Sequence, residues 1–153
     1  MGSKVRMNYT MMGDAVNLAA RLESAAKQYG VYVMISHYTN DLIKNDFETR
    51  LLDKITVVGK SEPVSVYELL SGKGEIPLEM NKFLEFYNQG LAYYFDQEWN
   101  KAIDSFRRCE VMEPNRNITK GRTPSVIFIE RIEEYMKNPP GKGWNGVYNL
   151  TLK

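Results

Sequence analysis

Tyr9–Glu23 reads YTMMGDAVNLAARLE, and this stretch decides which fold we expect. Residues 5–12 alternate roughly between polar and apolar side chains, which is typical of a β-strand. Gly13 interrupts the pattern and can supply a tight turn, and Asp14 is placed to cap a following helix. Apolar side chains then recur at helical spacing over 16–29, and a glycine follows, which favours helix termination. The stretch therefore predicts a strand, a sharp turn and an amphipathic helix.

Two polar side chains of the predicted helix stand four positions apart. Asn17 and Arg21 should therefore project from the same helical face. An arginine suits the neutralisation of phosphate charge because it stays protonated and offers several donors in a planar fork. The alternative is a solvated helix face on which both residues are merely exposed. The spacing alone favours that alternative, so the flanking sequence has to decide.

The chain continues with alternating strand and helix patterns up to residue 70, which indicates an α/β or α+β layer. Ser36 is placed to cap a short helix. The predicted elements are a strand over 31–35, a helix over 37–44, a strand over 47–58, a hairpin-like break over 59–63, a strand over 64–70 and a linker over 71–77.

Beyond the linker the apolar period becomes helical. One helix carries Phe83 to Tyr94, a second runs from Trp99 to Cys109, and a third spans 124–137 with a proline in its first turn. The spacing of six residues resembles the 34-residue tetratricopeptide unit: Phe86, Gly90, Tyr93, Ala102, Phe106 and Pro114. We interpret this helical segment as an appendage that packs on the main domain, because one such unit cannot form a solenoid. A peptide groove and a dimerisation element are the alternatives. The last segment, 139–148, is expected to be irregular and to pack back through its large apolar groups.

Composition narrows the classes of protein. The chain has 153 residues, of which 43% are hydrophobic and 25% charged, with a net charge of +1. This charge suggests neither nucleic acid nor an anionic membrane as a partner. No apolar run is long enough to span a bilayer. Cys109 is the single cysteine, which excludes an internal disulfide and fits a reducing, cytoplasmic location. His37 has no metal-ligand cluster around it, and Met7, Met11 and Met12 fit core or interface packing.

Several motifs follow one another in the first 70 residues: YTxxGDxVNxAxR at 9–21, QYG at 28–30, Ser36, Leu52-Asp53, Gly59-Lys60 and PVxVYE at 63–68. Their order and spacing resemble the second half of a class III nucleotidyl cyclase domain. This resemblance covers about residues 1–70, and the segment 144–147 resembles tails that follow this domain in some bacterial adenylate cyclases. The resemblance to the domain and its tail implies a partial ferredoxin-like α+β sheet over 1–72 that lacks its N-terminal half, a linker over 73–78 and a helical hairpin tail over 79–153.

The resemblance also implies a chemistry, the conversion of ATP to cAMP and pyrophosphate. In such enzymes Asn17 would orient the ribose, and Arg21 would neutralise charge that builds on the α-phosphate. Thr10 stands where relatives place a base-recognising side chain, and Gly13 would shape the turn beside it. Lys60 is a further candidate for substrate binding, although an exposed loop lysine is the reading we favour. Val58 occupies the position at which many relatives carry a triphosphate-binding lysine, so that contact cannot be transferred.

Other groups that the family needs lie outside the matched segment. Two aspartates that bind Mg²⁺ or Mn²⁺, and a base-recognising lysine, belong to the first half of the family's domain. We therefore expect the chain to be inactive alone. Because strand edges would be exposed, we also expect a homodimer in which two copies either pair or exchange elements. ATP is preferred over GTP, and any membrane anchor of a parent protein would lie upstream. The alternative function is a non-catalytic interaction module that uses the tetratricopeptide-like tail.

Overall fold

The computed structural model describes the backbone of residues 2–57 and 62–150, and the side chains of 15–57 and 62–150. Four strands in this part of the chain form one mixed sheet, in the order β1-β3-β2-β4. The architecture is α+β, as predicted. In chain order the elements are α1 (Gly2–Tyr29), β1 (Met34–Ser36), α2 (His37–Ile43), β2 (Phe47–Thr56), β3 (Val64–Gly72), α3 (Leu78–Phe95), α4 (Trp99–Glu110), α5 (Pro124–Lys137) and β4 (Tyr148–Asn149).

The first element corrects the prediction for the N-terminal region. Residues 5–12 are not a strand and Gly13 is not a turn, because α1 is helical from Gly2 to Tyr29. Asp14 consequently lies inside a helix and not at its N-cap. A strand needs a neighbour to satisfy its backbone hydrogen bonds, whereas a helix satisfies them within itself. Lys, Arg and Met are also good helix formers, so the local sequence does not oppose this outcome.

The strand β1 is shorter than the strand predicted over 31–35, whereas the helix α2 agrees with the helix predicted over 37–44. Only Met34–Ser36 pair as β1, antiparallel to β3, while Tyr32 and Val33 are exposed. Ser36 caps α2, as predicted. Its hydroxyl accepts a hydrogen bond from the Thr39 amide at 3.3 Å and satisfies one of the free donors at the helix start.

β2 and β3 pair as the predicted antiparallel strands, with Ile55 opposite Val64 at the end near their connection. The connection itself, 58–61, lies outside the described residues. The register shifts between Leu51 and Asp53, which marks a β-bulge. Inward positions alternate along β3 from Val64 through Val66 to Glu68, so one face of this strand is buried.

The three predicted tail helices are present. α4 packs against both α3 and α5. Gly90 lets α3 approach α4 closely, since a methyl group there would lie 2.9 Å from the Phe106 ring. α5 begins at Pro124, and the preceding Thr123 hydroxyl accepts a hydrogen bond from the Val126 amide. Helical periodicity and a proline in the first turn were therefore sufficient to locate these helices.

The segment after α5 packs back on the protein, as expected, but it is not wholly irregular. Trp144 contacts the aromatic side of the helices, with its ring centroid 5.2 Å from that of Tyr94. Tyr148 and Asn149 form β4, which pairs in parallel with Ile55 and Thr56 of β2. A two-residue strand is too short to produce an alternating pattern, so the sequence did not predict it.

Two apolar clusters form the core. The first joins α1 to the sheet, and α5 and the C-terminal segment also contribute: Leu18, Leu22, Ala25, Ala26, Tyr29, Val31, Met34, Leu52, Ile55, Val57, Val64, Val66, Ile127 and Leu150. The second fills the space between the tail helices: Phe83, Tyr87, Leu91, Tyr94, Ala102, Ile103, Phe106, Cys109, Phe128 and Ile132. The division at 72–79 stays a prediction. Over the described ranges, none of the helices has the length and apolar character that crossing a membrane requires.

Candidate functional site

Two candidate site residues with described side chains, Asn17 and Arg21, lie on α1 beside residues of the same helix that pack into the core. Leu18, Leu22 and Tyr29 pack into the core. Asn17 is exposed and Arg21 is half-buried, one turn apart on the same helix. The two residues are therefore four positions apart on one helix, a spacing at which side chains lie on the same face.

Arg21 is held in an unusual way for a surface arginine. Within the part of the chain whose side chains are described, its Nη1 atom is buried and makes no hydrogen bond. A buried guanidinium nitrogen without a partner is costly, because desolvation is not compensated. Among the described groups this nitrogen therefore has no acceptor, and a phosphate oxygen is one kind of acceptor that would satisfy it.

The remaining predicted site residues lie outside the described side chains. Thr10 and Gly13 belong to the first half of α1, and only the helical backbone is described there. Lys60 falls in the 58–61 gap. The side chains of Met7, Met11 and Met12 also lie outside the described part of the chain. Their assignments therefore stay predictions.

A buried polar cluster joins the C-terminal end of α1 to the sheet and the tail. Tyr29 donates a hydrogen bond to Asp53 Oδ2 at 2.5 Å, and Arg131 Nη1 donates to the same oxygen at 2.7 Å. Arg131 also donates to the Tyr94 hydroxyl at 3.2 Å, and its guanidinium lies 3.6 Å from the Tyr148 ring centroid. Burial raises the pKa of Tyr29, and the neighbouring Asp53 carboxylate raises it further, so this phenol stays a proton donor.

A second buried cluster joins the sheet to the loop after α4. Arg50 binds Glu68 through Nε at 2.5 Å and binds Glu113 with both terminal nitrogens, at 3.1 and 2.8 Å. The guanidinium is stacked over the ring of Tyr87 at 4.7 Å. Ser125 completes the Glu113 shell by donating from its hydroxyl at 2.7 Å. Arg50 thereby connects its own strand β2 to β3, to α3 and to the loop after α4.

The buried carboxylates do not fit the two divalent ions that the resembled enzymes use. Asp53, Glu68 and Glu113 are each occupied by an arginine that supplies the opposite charge. Among the described side chains, no group of three or more His, Cys, Asp or Glu converges as a metal centre would. The described part of this chain therefore offers salt bridges and not metal ligands.

One cavity lies near the C-terminal end of α1. A cavity of about 310 Å³ opens beside Tyr29, Arg131, Tyr135 and Tyr148, between the end of α1 and α5. Neither Asn17 nor Arg21 lines it. The cavity is therefore separate from the two side chains to which the sequence assigned chemistry.

Sequence reasoning missed the roles of Arg50, Asp53 and Arg131. A signal was present at Arg131, which interrupts the apolar face of α5, and at Arg50 and Asp53, which flank Leu51 and Leu52 in β2. Charges at core positions are rarely buried without a partner. The pattern could have flagged each residue, but not which residue pairs with which.

Comparison with known proteins agrees with the α1 motif. Residues 1–71 match the family described as the adenylate and guanylate cyclase catalytic domain. The chain is 34% identical over 141 residues, or 90% of its length, to the terminal-differentiation-specific adenylate cyclase of Dictyostelium discoideum. That match extends beyond residue 71 and so includes tail helices. No solved structure shows a significant match.

Two further relatives match less than half of the chain. Identity is 40% over 75 residues with the adenylate cyclase of Anabaena cylindrica and 37% over 70 residues with adenylate cyclase 1 of Rhizobium meliloti. These matches cover 45% and 46% of the chain. The chain spans only 6%, 14% and 10% of the three relatives, in the order given. Residues 1–71 are thus similar to the adenylate and guanylate cyclase catalytic domain family, and the chain is similar in sequence to proteins named adenylate cyclases.

Proposed function

We propose that this chain is part of an adenylate cyclase, in which it supplies Asn17 and Arg21 to the conversion of ATP to cAMP and pyrophosphate. The observation that carries the proposal is the placement of these two residues. They share one face of α1, inside the segment that matches the cyclase catalytic domain. We propose ATP and not GTP as the substrate, because the related proteins are named adenylate cyclases.

The proposed roles follow from the chemistry of cyclisation. The ribose 3′-hydroxyl attacks the α-phosphorus, the bond to the β-phosphate oxygen breaks, and pyrophosphate leaves. Charge accumulates on the α-phosphate oxygens during this step, and a preorganised cation lowers the barrier. Arg21 would provide that cation, and its Nη1 supports this role because it has no hydrogen-bond partner among the described groups. Asn17, one turn earlier, would orient the ribose through its side-chain amide.

Substrate contacts beyond these two residues belong to the same proposal. Thr10 would contact the adenine edge, because a hydroxyl both donates and accepts hydrogen bonds. Gly13 would allow close approach of the backbone, now from within a helix and not from a turn. Lys60 would contact the polyphosphate only if it replaces the lysine that many relatives carry at the position of Val58.

The divalent ions of the reaction would have to be held by groups other than the described carboxylates. Asp53, Glu68 and Glu113 already neutralise Arg131 and Arg50. We therefore propose that this chain has no cyclase activity alone and needs a second polypeptide segment that supplies metal-binding carboxylates. Mg²⁺ or Mn²⁺ would be bound there.

A homodimer, with or without exchanged elements, is a further part of the proposal. β1 lies at the edge of the sheet, and Leu42 of the adjoining helix α2 is 84% exposed. Exposed apolar groups beside an open strand edge favour association. The competing function, a tail that binds peptides, is less well supported, because Phe83, Tyr87 and Tyr94 are buried in the chain's own core. A monodisperse monomer in light scattering would count against the dimer.

The experiment is a complementation assay. The chain is mixed with a polypeptide that carries the metal-binding half of a cyclase domain, and cAMP is measured with ATP and Mn²⁺. We expect no activity from either part alone, and activity from the mixture that falls by about 100-fold or more in Arg21→Ala. Lys27→Ala, a charge removal elsewhere on α1, is the matched control and should leave activity unchanged. Equal activity of Arg21→Ala, Asn17→Ala and the unsubstituted chain would refute the assigned roles.

A further inference from the structure

We propose that the tail helix α5 positions α1, and with it Asn17 and Arg21, through the positioning residue Arg131. The inference rests on the proposed function for the importance of α1, but its structural content does not depend on catalysis. It assigns the tail a task within the cyclase segment. The tail would hold the helix that carries the transition-state residues in place.

The guanidinium fork of Arg131 contacts two partners at once. One nitrogen, Nη1, binds Asp53 Oδ2 at 2.7 Å, and the other, Nη2, donates to the Tyr29 hydroxyl at 3.3 Å. Tyr29 in turn donates to Asp53 at 2.5 Å. These three groups form a closed triangle between α5, β2 and the last residue of α1. A triangle of hydrogen bonds fixes distance and orientation together, which a single contact cannot do.

Burial increases the free-energy cost of breaking the hydrogen bonds of this triangle. Tyr29 is 1% exposed and Asp53 is fully buried. If α1 moved, the fully buried Asp53 carboxylate would lose the Tyr29 hydroxyl as a hydrogen-bond donor, and a buried charge left short of partners is strongly unfavourable. Small displacements of the α1 end are therefore opposed more strongly here than by apolar packing alone.

A second contact fixes the same end of α1 independently. Gly30 follows the helix in the left-handed region, at φ 68°, and a Cβ atom there would overlap the carbonyl oxygen of Arg122. The loop that leads into α5 thus rests directly on the backbone at the end of α1. Side-chain hydrogen bonds and backbone contact both connect the tail to this point.

The helix transmits this constraint to the candidate site. Arg21 lies eight residues before Tyr29, which is about 12 Å along the helix axis. Leu22, Ala25 and Ala26 are buried between these two positions, so the intervening turns are packed and continuous. Fixing the axial position and rotation at Tyr29 therefore fixes where Arg21 points.

Hydrogen exchange on the full 153-residue chain tests the inference without any activity. The variants are Arg131→Met and the milder Tyr29→Phe, which removes one hydroxyl and keeps the ring. Each has a matched control that makes the same change away from α1: Arg50→Met, which breaks the other buried ion cluster, and Tyr87→Phe, whose hydroxyl donates to Leu52. Amide exchange is compared between residues 18–29 of α1 and α4, which none of these four side chains hydrogen-bonds.

We expect both test variants to accelerate exchange in 18–29 by about ten-fold or more relative to α4. The two controls should change α1 no more than α4. If Arg131→Met does not fold, Tyr29→Phe and its control decide the outcome. Uniform acceleration across the molecule in Tyr29→Phe, or an equal effect on α1 in Tyr87→Phe, would overturn the inference.

The complementation assay separates this inference from the proposed function. A positioning role predicts that Tyr29→Phe lowers kcat about ten-fold with the KM for ATP unchanged, while Tyr87→Phe changes neither. An Arg21→Ala variant with full activity would refute the proposed function and leave the exchange result standing. Loss of activity in Arg21→Ala, together with unchanged kcat and unchanged α1 exchange in Tyr29→Phe, would refute the positioning role alone.

Discussion

Replacement of Gly30 by alanine tests how closely the tail rests on α1. Gly30 adopts a left-handed conformation, and its missing side chain leaves the space occupied by the Arg122 carbonyl. Alanine would meet two separate penalties there. The first is the conformation itself, and the second is the overlap with backbone atoms, which cannot rotate away as a flexible side chain can.

The magnitude follows from adding the two penalties. A left-handed conformation costs a residue with a Cβ atom about 1–2 kcal/mol. Relieving the overlap requires a shift of the loop before α5, which we place at about 1–3 kcal/mol by analogy with overpacked cores. The free energy of unfolding should therefore fall by about 2–5 kcal/mol. The smaller conformational freedom of unfolded alanine offsets a fraction of this in every glycine replacement.

The assay is equilibrium urea unfolding, followed by circular dichroism, with Gly121→Ala as the control. Gly121 has φ 82°, and no atom lies within 4 Å of the position that an alanine methyl group would take, so its replacement incurs only the conformational penalty. Gly30→Ala should be less stable than this control by about 1–3 kcal/mol, which is the cost of the overlap. Equal loss of stability in both variants would refute the close contact between the tail loop and α1.

Three further outcomes can be checked with the same chain. Glu113→Gln removes half of a buried ion pair and should cost about 3–5 kcal/mol in urea unfolding, whereas Glu110→Gln, at a partly exposed pair, should cost under about 1 kcal/mol. Burial raises the pKa of the Cys109 thiol to about 12, so iodoacetamide at pH 8 should label the native chain roughly a thousand-fold more slowly than the urea-unfolded chain. Labelling at equal rates would contradict the burial of this thiol. Gly90→Ala places a methyl group 2.9 Å from the Phe106 ring and should cost about 1–3 kcal/mol, and an unchanged urea midpoint would show that α3 and α4 are further apart.

The helices of the tail were predictable because their information is local. A 3.6-residue apolar period and Pro124 in a first turn specify α5 with little help from the rest of the chain. Residues 5–12 show the limit of the same reasoning. Their alternation favours a strand, but a strand exists only with a partner, and the period says nothing about the partner. The helix α1 results because it needs none.

The residues of the candidate site and of the buried clusters also differ in how far their relations depend on local sequence. Asn17 and Arg21 could be named from the sequence because both their four-residue spacing and the flanking motifs lie within one short stretch of the chain. Arg131 and Asp53 are 78 residues apart, and their contact arises only when α5 and the sheet have packed. A charged residue in an apolar pattern signals that a partner exists. Its identity depends on tertiary structure, which no local spacing contains.

The shortest strand has a consequence for how this protein folds. The β4–β2 contact closes a span of 93 residues, at Asn149 and Thr56, with only two paired residues on each side. Closing a free loop of that length costs about 4 kcal/mol of chain entropy, more than two neutral backbone hydrogen bonds return. We therefore expect β4 to dock after α3, α4 and α5 have collapsed and shortened the span, as a late step in folding. The exchange protection of the Leu150 amide, which donates to the Thr56 carbonyl at 3.0 Å, would report the completion of the whole chain's folding.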